Sequence, residues 1–230
     1  MALDTAYDLR RSIIYCVYVR NFSQEGTFAG VIPQLDRLKA LGVDYIWLLP
    51  IHPLGVDKRK GKLGSPYAIQ DYRAVNPEYG TLTDFEALCH AIHERGMKVM
   101  IDVVYNHTSP DSVLVKTHPE WFYYKSDGKR GNRVGEWTDI VDLDYQDRGL
   151  WDYQIESLQY WAHYVDGYRC DVASMVPVDF WREARKAVAQ VKDDFLWLAE
   201  SVHAEFVKSL RQEGVDAASD SQLYEAFDLT

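Results

Sequence analysis

Short, nearly uninterrupted apolar runs alternate along this chain with segments whose apolar residues recur at helical spacing. That alternation leaves few folds open. Runs over 13–19, 43–49, 97–104 and 195–199 read as strands, and the third holds no polar residue except Lys98 and Asp102. Between the first two, Val31, Leu35, Leu38 and Leu41 mark a helix over 30–41. Further helices are predicted over 81–95, 150–165, 180–191 and 203–212. A short strand over 167–171 runs into a loop, and 227–229 reads as the start of a sixth strand. Strands this apolar are buried on both faces, which calls for a parallel sheet covered by helices. No Gly-x-Gly-x-x-Gly follows the first strand and no P-loop motif occurs, which argues against a nucleotide-binding doubly wound sheet. The predicted fold is α/β, a (β/α)8 TIM barrel.

The segment 105–149 interrupts this rhythm with Pro110, Pro119, Gly128, Gly131 and Gly135. A loop that long is uncommon without structure of its own, so it is read as a small subdomain inserted after strand 3. The chain then divides into barrel (1–104), insertion (105–149) and incomplete barrel (150–230). Eight strand–helix units take typically about 250 residues. With an insertion on board, the barrel is expected to run out after about the fifth or sixth strand. We therefore expect the N-terminal portion of a longer protein, inactive alone.

A net charge of −10 offers no basic patch for nucleic acid. No apolar run is long enough to span a membrane, and residues 1–11 carry no apolar signal core. Cys16, Cys89 and Cys170 have no metal-type spacing and are expected to be buried, reduced thiols, which predicts a cytoplasmic protein. The oligomeric state is left open.

In a (β/α) barrel, reactive groups sit at the C-terminal ends of the strands. Three strand ends carry them here: Asp102 to His107, Arg169 to Asp171, and Glu200 after Ala199. Arg169 and Asp171 are two apart and share a strand face. A guanidinium there is expected to keep Asp171 ionised by lowering its pKa. Glu200 follows Leu196, Trp197, Leu198 and Ala199, an apolar setting that favours its protonated form. One ionised carboxylate and one protonated carboxylic acid, on adjacent strands, form the pair that glycoside hydrolysis requires. Alone, Arg169-x-Asp171 reads better as a structural ion pair than as a site. His52, Trp121 and Trp137 read as structural.

The chain resembles the α-amylase superfamily of retaining α-glucan enzymes. The resemblance rests on Asp102-x-x-x-Asn106-His107, Gly167-x-Arg169-x-Asp171, Glu200 between Ala199 and Ser201, and Val141-Asp142-Leu143-Asp144. Gly64-Ser65-Pro66-Tyr67 with Asp71-Tyr72, and residues 76–81, also fit. The resemblance implies Asp171 as nucleophile, Glu200 as general acid/base and Arg169 as the residue orienting Asp171. His107 would bind the sugar at the cleavage position, Tyr67 would stack under it, and Asp102 would be a supporting carboxylate linked to Arg169. Asn106 and Asp142 match positions that hold calcium in many members. They supply only two of the roughly six to eight oxygens calcium takes. No cofactor is required, and calcium stands as an optional structural ion.

Two features depart from the family pattern. No His-Asp pair, the source of a third site carboxylate, occurs in the chain. Ser174 and Met175 stand where many starch hydrolases carry Lys-His. The implied activity is retaining hydrolysis of α-glucosidic bonds in α-glucans or maltooligosaccharides. The alternatives are a glucanotransferase or maltosyltransferase of the same superfamily, and a non-catalytic carbohydrate-binding barrel.

Overall fold

A computed structural model describes residues 6–201, 204–212, 214 and 217–230. Five parallel strands form one open sheet in the order β1 (Ile14–Val17), β2 (Tyr45–Leu48), β3 (Lys98–Val103), β6 (Gly167–Cys170) and β7 (Leu196–Ala199). Helices Leu82–Glu94, Arg148–Ala162 and Val178–Ala189 pack on its outer face. Between β3 and β6, β4 (His107–Thr108) and β5 (Val141–Asp142) make a separate two-stranded antiparallel sheet within the predicted insertion.

Strand alternation sorts the residues by face. Ile46, Leu48, Val99, Ile101, Tyr168 and Trp197 join the main core beneath the helices. Tyr45, Met100 and Leu196 cluster separately on the inner face, together with half-buried Trp47 and Leu198. Cys16, expected to be buried, is exposed because β1 is an edge strand with little covering its inner side. Cys89 and Cys170 are buried free thiols as expected.

Several element boundaries differ from the sequence reading for local reasons. The helix predicted over 30–41 is split into Phe28–Val31, a 3-10 turn at Ile32–Gln34 and Leu35–Ala40. Pro33 sits at the break, where it supplies no backbone N–H. The first strand stops at Val17, and Val19–Phe22 is a short helix. Thr81 and Asp84 close a reciprocal capping box that fixes the start of Leu82–Glu94. The predicted sixth strand is one parallel bridge, Leu198 to Leu229. Of the helix expected over 203–212, Ala204–Gln212 is observed, while His203 lies outside the described residues. No helix among the described residues is long and apolar enough to cross a membrane.

Gly167 opens β6 where the strands approach most closely. A Cβ there would lie 2.8 Å from the Leu196 carbonyl oxygen and 3.1 Å from Met100 Cε. Backbone cannot yield as a flexible side-chain tip can, so Gly167→Ala is expected to destabilise the fold by about 1–3 kcal/mol. Urea unfolding checks this, and an unchanged midpoint contradicts it.

Candidate active site

The register of the sheet builds the site. Asp102 on β3 lies directly beside Arg169 on β6, and both side chains point to the inner face. Asp171 follows the last residue of β6 and Glu200 the last residue of β7, each held by a backbone bond to the neighbouring strand. The Asp171 N–H donates to Val103 O (2.9 Å) and the Glu200 N–H to Cys170 O (2.9 Å).

Arg169 touches all three carboxylates. Its Nη1 donates to both Asp102 oxygens (3.0 and 3.1 Å) and to Asp171 Oδ1 (2.8 Å). Its Nη2 lies 2.8 Å from Glu200 Oε1. The guanidinium stands over the Trp47 ring at 5.0 Å. The second Glu200 oxygen accepts from the Val172 backbone N–H at 2.8 Å. Val172 makes that bond from a left-handed conformation (φ 37°, ψ 47°), a costly one for a β-branched residue.

The protonation expectations need correcting. Asp171 is pushed well above the usual carboxylate range, first by burial and then by the Asp102 charge, with Arg169 opposing both. Asp102 is raised to about 7 by burial, again against Arg169. One guanidinium cannot offset desolvation with three acids around it. Glu200 does not sit in an apolar pocket either. Its side chain is 37% exposed, and its two oxygens meet Arg169 and the Val172 N–H at the end of the strand. The environments of the two carboxylates are the reverse of those expected.

His107 is buried and its pKa falls to about 4, chiefly by desolvation, so its ring is neutral. The Asn106 amide donates to His107 Nδ1 (3.2 Å), which leaves the ring proton on Nε2. Tyr67 packs half-buried in the loop after β2. Its hydroxyl lies in the field of Asp102, Arg169, Asp171 and Glu200, and burial raises its pKa most. The loop that carries Tyr67 is tied to the insertion, since Lys60 pairs with buried Asp139 at 3.0 Å. His52 is structural as expected, giving a ring hydrogen bond to Ala74 O and packing on Tyr72 and Trp161.

The two calcium candidates were tested on their partners. Asp142 Oδ2 accepts from the Arg133 backbone N–H (2.7 Å) and from Arg133 Nη1 (3.5 Å), which also donates to Leu143 O (3.3 Å). A guanidinium thus already stands against the fully buried Asp142, leaving only its Oδ1 without a partner. A divalent cation would meet that positive charge. Among the described residues no cluster of three or more His, Cys, Asp or Glu could hold a metal. Asp142, already held by Arg133, does not fit calcium.

Sequence reading missed Val172 as a backbone donor, Trp47 under the guanidinium, and Arg133. Trp47 was within reach, because it alternates with Tyr45 onto the inner face. The left-handed turn at a valine has no sequence signal. A cleft of about 480 Å³ between the insertion and the start of helix Val178–Ala189 is lined by neither Asp171 nor Glu200 and does not define the site.

A barrel-type sheet with clamped carboxylates at the ends of adjacent strands defines a class of hydrolytic and group-transfer proteins. The comparisons narrow it. The family model described as the catalytic domain of alpha amylase matches residues 14–139. An alpha-amylase structure from Lactobacillus plantarum superposes with a TM-score of 0.94 at 60% identity, covering 95% of this chain and 52% of that one. Alpha-amylase MalA of Haloarcula japonica is 31% identical over 94% of this chain and 33% of its own length. The alpha-1,4-glucan:maltose-1-phosphate maltosyltransferase of Rhodospirillum rubrum is 35% identical over 76% of this chain and 28% of its own length. The chain belongs to the alpha-amylase family. It spans about half the solved relative and about a third of the curated ones.

Removing Arg169 leaves three carboxylates uncompensated, two of them buried. Arg169→Met is expected to cost about 3–5 kcal/mol at pH 8. A carboxyl raised from 3.8 to about 7 on folding contributes stability that is lost as pH rises through 7. The penalty of Arg169→Met should therefore shrink at pH 5.5, where Asp102 takes up a proton. Urea titrations at both pH values check this, and an equal loss at both contradicts it.

Proposed function

We propose that this chain carries the nucleophile and the acid/base of a retaining glycoside hydrolase. Its substrates are the α-glucosidic bonds of α-glucans or maltooligosaccharides, and it works through a covalent glycosyl-enzyme intermediate. The observation that carries this reading is the Arg169 bridge, which holds Asp171 and Glu200 on one guanidinium at 2.8 Å each. Such a bridge supports the close spacing of a retaining pair, roughly 5–5.5 Å, over the wider gap that admits a water between carboxyls.

Asp171 attacks the anomeric carbon while Glu200 protonates the leaving oxygen. The network supplies that proton. Asp102, Asp171 and Glu200 meet at one cation, and burial favours keeping a proton among them. Positive charge developing at the anomeric carbon favours ionised Asp171, which drives the proton toward Glu200 and the leaving group. Water, deprotonated by Glu200, then cleaves the ester. His107 donates from Nε2 to a sugar hydroxyl, and Tyr67 forms the floor beneath the ring. Asp102 holds Arg169 in place from below. Transfer to a sugar hydroxyl uses the same intermediate, and the relative from Rhodospirillum rubrum carries a transferase name. We also propose a cytoplasmic location, on the three free thiols.

In a protein that carries this chain with the rest of its barrel, Asp171→Asn should lower maltooligosaccharide turnover by about a thousandfold or more, about 4 kcal/mol of barrier. Near-normal rates contradict the assignment. Products from maltotriose separate hydrolysis, giving glucose and maltose alone, from transfer, giving longer oligomers.

No calcium is needed where Arg133 serves Asp142. Excess EDTA is expected to move Tm by less than about 2 °C, whereas Arg133→Ala, which keeps the backbone N–H but removes the guanidinium facing buried Asp142, costs about 1–3 kcal/mol. A large EDTA-induced drop in Tm, reversed by calcium, would overturn this.

A further inference from the structure

Most of the tryptophans are accounted for by packing. Trp121, Trp151, Trp161, Trp181 and Trp197 are buried in the main core, and Trp121 also stacks on His118 at 3.7 Å. Trp47 supports Arg169. Trp137 differs from these. It is half-buried in the insertion and packs against a small separate cluster that includes Val172 and Met175.

Its position is fixed from several sides. The Asn132 amide donates to Trp137 O (2.6 Å), and the Trp137 N–H donates to Val134 O (3.1 Å). Lys60, in the loop that also carries Tyr67, donates to Glu136 O (3.3 Å) and pairs with Asp139. The Trp137 ring stands 5.5 Å from the His107 ring, tilted 53°. Trp137 thus joins His107 to the residues that immediately follow Asp171.

The direction of this surface follows from Val172. Its backbone N–H holds Glu200, and a proton donor must lie beside the leaving oxygen. A surface built on Val172 and Met175 therefore lies on the leaving-group side of the bond. Its chemistry suits the C–H face of a pyranose, which presents apolar area to an aromatic ring.

We propose that Trp137, seated on Val172 and Met175, is the platform for the glucosyl unit on the leaving-group side, and so determines acceptor preference. The inference rests on the retaining reading above. In the second half-reaction a sugar on this platform presents a hydroxyl. Glu200 takes its proton, the oxygen bonds to the anomeric carbon, and the ester bond to Asp171 breaks, returning Asp171 as carboxylate. Water bound in the same place gives hydrolysis.

The test compares maltotriose with α-maltosyl fluoride in the protein carrying the whole barrel, because fluoride leaves without a sugar on that side. In Trp137→Ala, kcat/KM for maltotriose should fall at least ten times more than for the fluoride. Transfer from the fluoride to added maltose should fall in parallel, and Trp137→Phe should restore most of both. Equal losses on the two donors would make Trp137 a packing residue and overturn the proposal, as would no loss on either. A wild-type protein that turns over neither donor overturns the retaining reading and this inference with it.

Discussion

One guanidinium organises this molecule. Arg169 is nearly buried, and around it stand Asp102 at zero exposure, Asp171 nearly so, and Glu200 at the rim. Burying charge is costly unless it is paired and hydrogen-bonded. The sheet places Asp102 directly beside Arg169 because β3 and β6 pair in parallel with those residues in register. Everything above that pair inherits its position: Asp171 on the next inward-facing residue of β6, and Glu200 one strand over. A cation surrounded by three acids also leaves a deficit of positive charge. A sugar developing positive charge at its anomeric carbon would relieve that deficit, so the geometry that makes the empty site electrostatically unfavourable suits it to the transition state.

The rest of the fold serves this cluster. Gly167 leaves room beside the Leu196 carbonyl and Met100 that a Cβ would take. The Trp47 ring gives the guanidinium an aromatic floor. The insertion brings His107, Asp139 and Trp137 to the same end of the sheet, and the Lys60 to Asp139 pair ties it to the loop bearing Tyr67. Arg133 fastens the insertion from within, through its backbone N–H and guanidinium to buried Asp142.

The parts of this site governed by periodicity were legible in the sequence. Strand alternation put Arg169 and Asp171 on one face, and the observed 2.8 Å bond agrees. Apolar runs located four of the five strands to within a few residues. Features set by three-dimensional contact were not legible. The apolar run before Glu200 suggested a dry pocket, yet side chains at 196 and 198 face the inner layer while Glu200 turns to Arg169 and the Val172 N–H. The Arg169-x-Asp171 spacing suggested an acid held ionised, but burial and the Asp102 charge, invisible from spacing, outweigh the guanidinium. Arg133 lies in a Gly-rich loop whose composition says nothing about its partner. Pro33, by contrast, was a visible break inside a helical pattern that periodicity alone overrode.

The central claim is that Asp171 forms a covalent bond to the sugar. Trapping tests it most directly. A protein carrying the whole barrel is treated with 5-fluoro-α-D-glucosyl fluoride, whose glycosyl-enzyme intermediate turns over slowly, then digested and mapped by mass spectrometry. One fluoroglucosyl group on the peptide bearing Asp171, absent from the Asp171→Asn protein, is the predicted result. A label on Glu200 or Asp102, or steady turnover with an inverted product and no label, would contradict it.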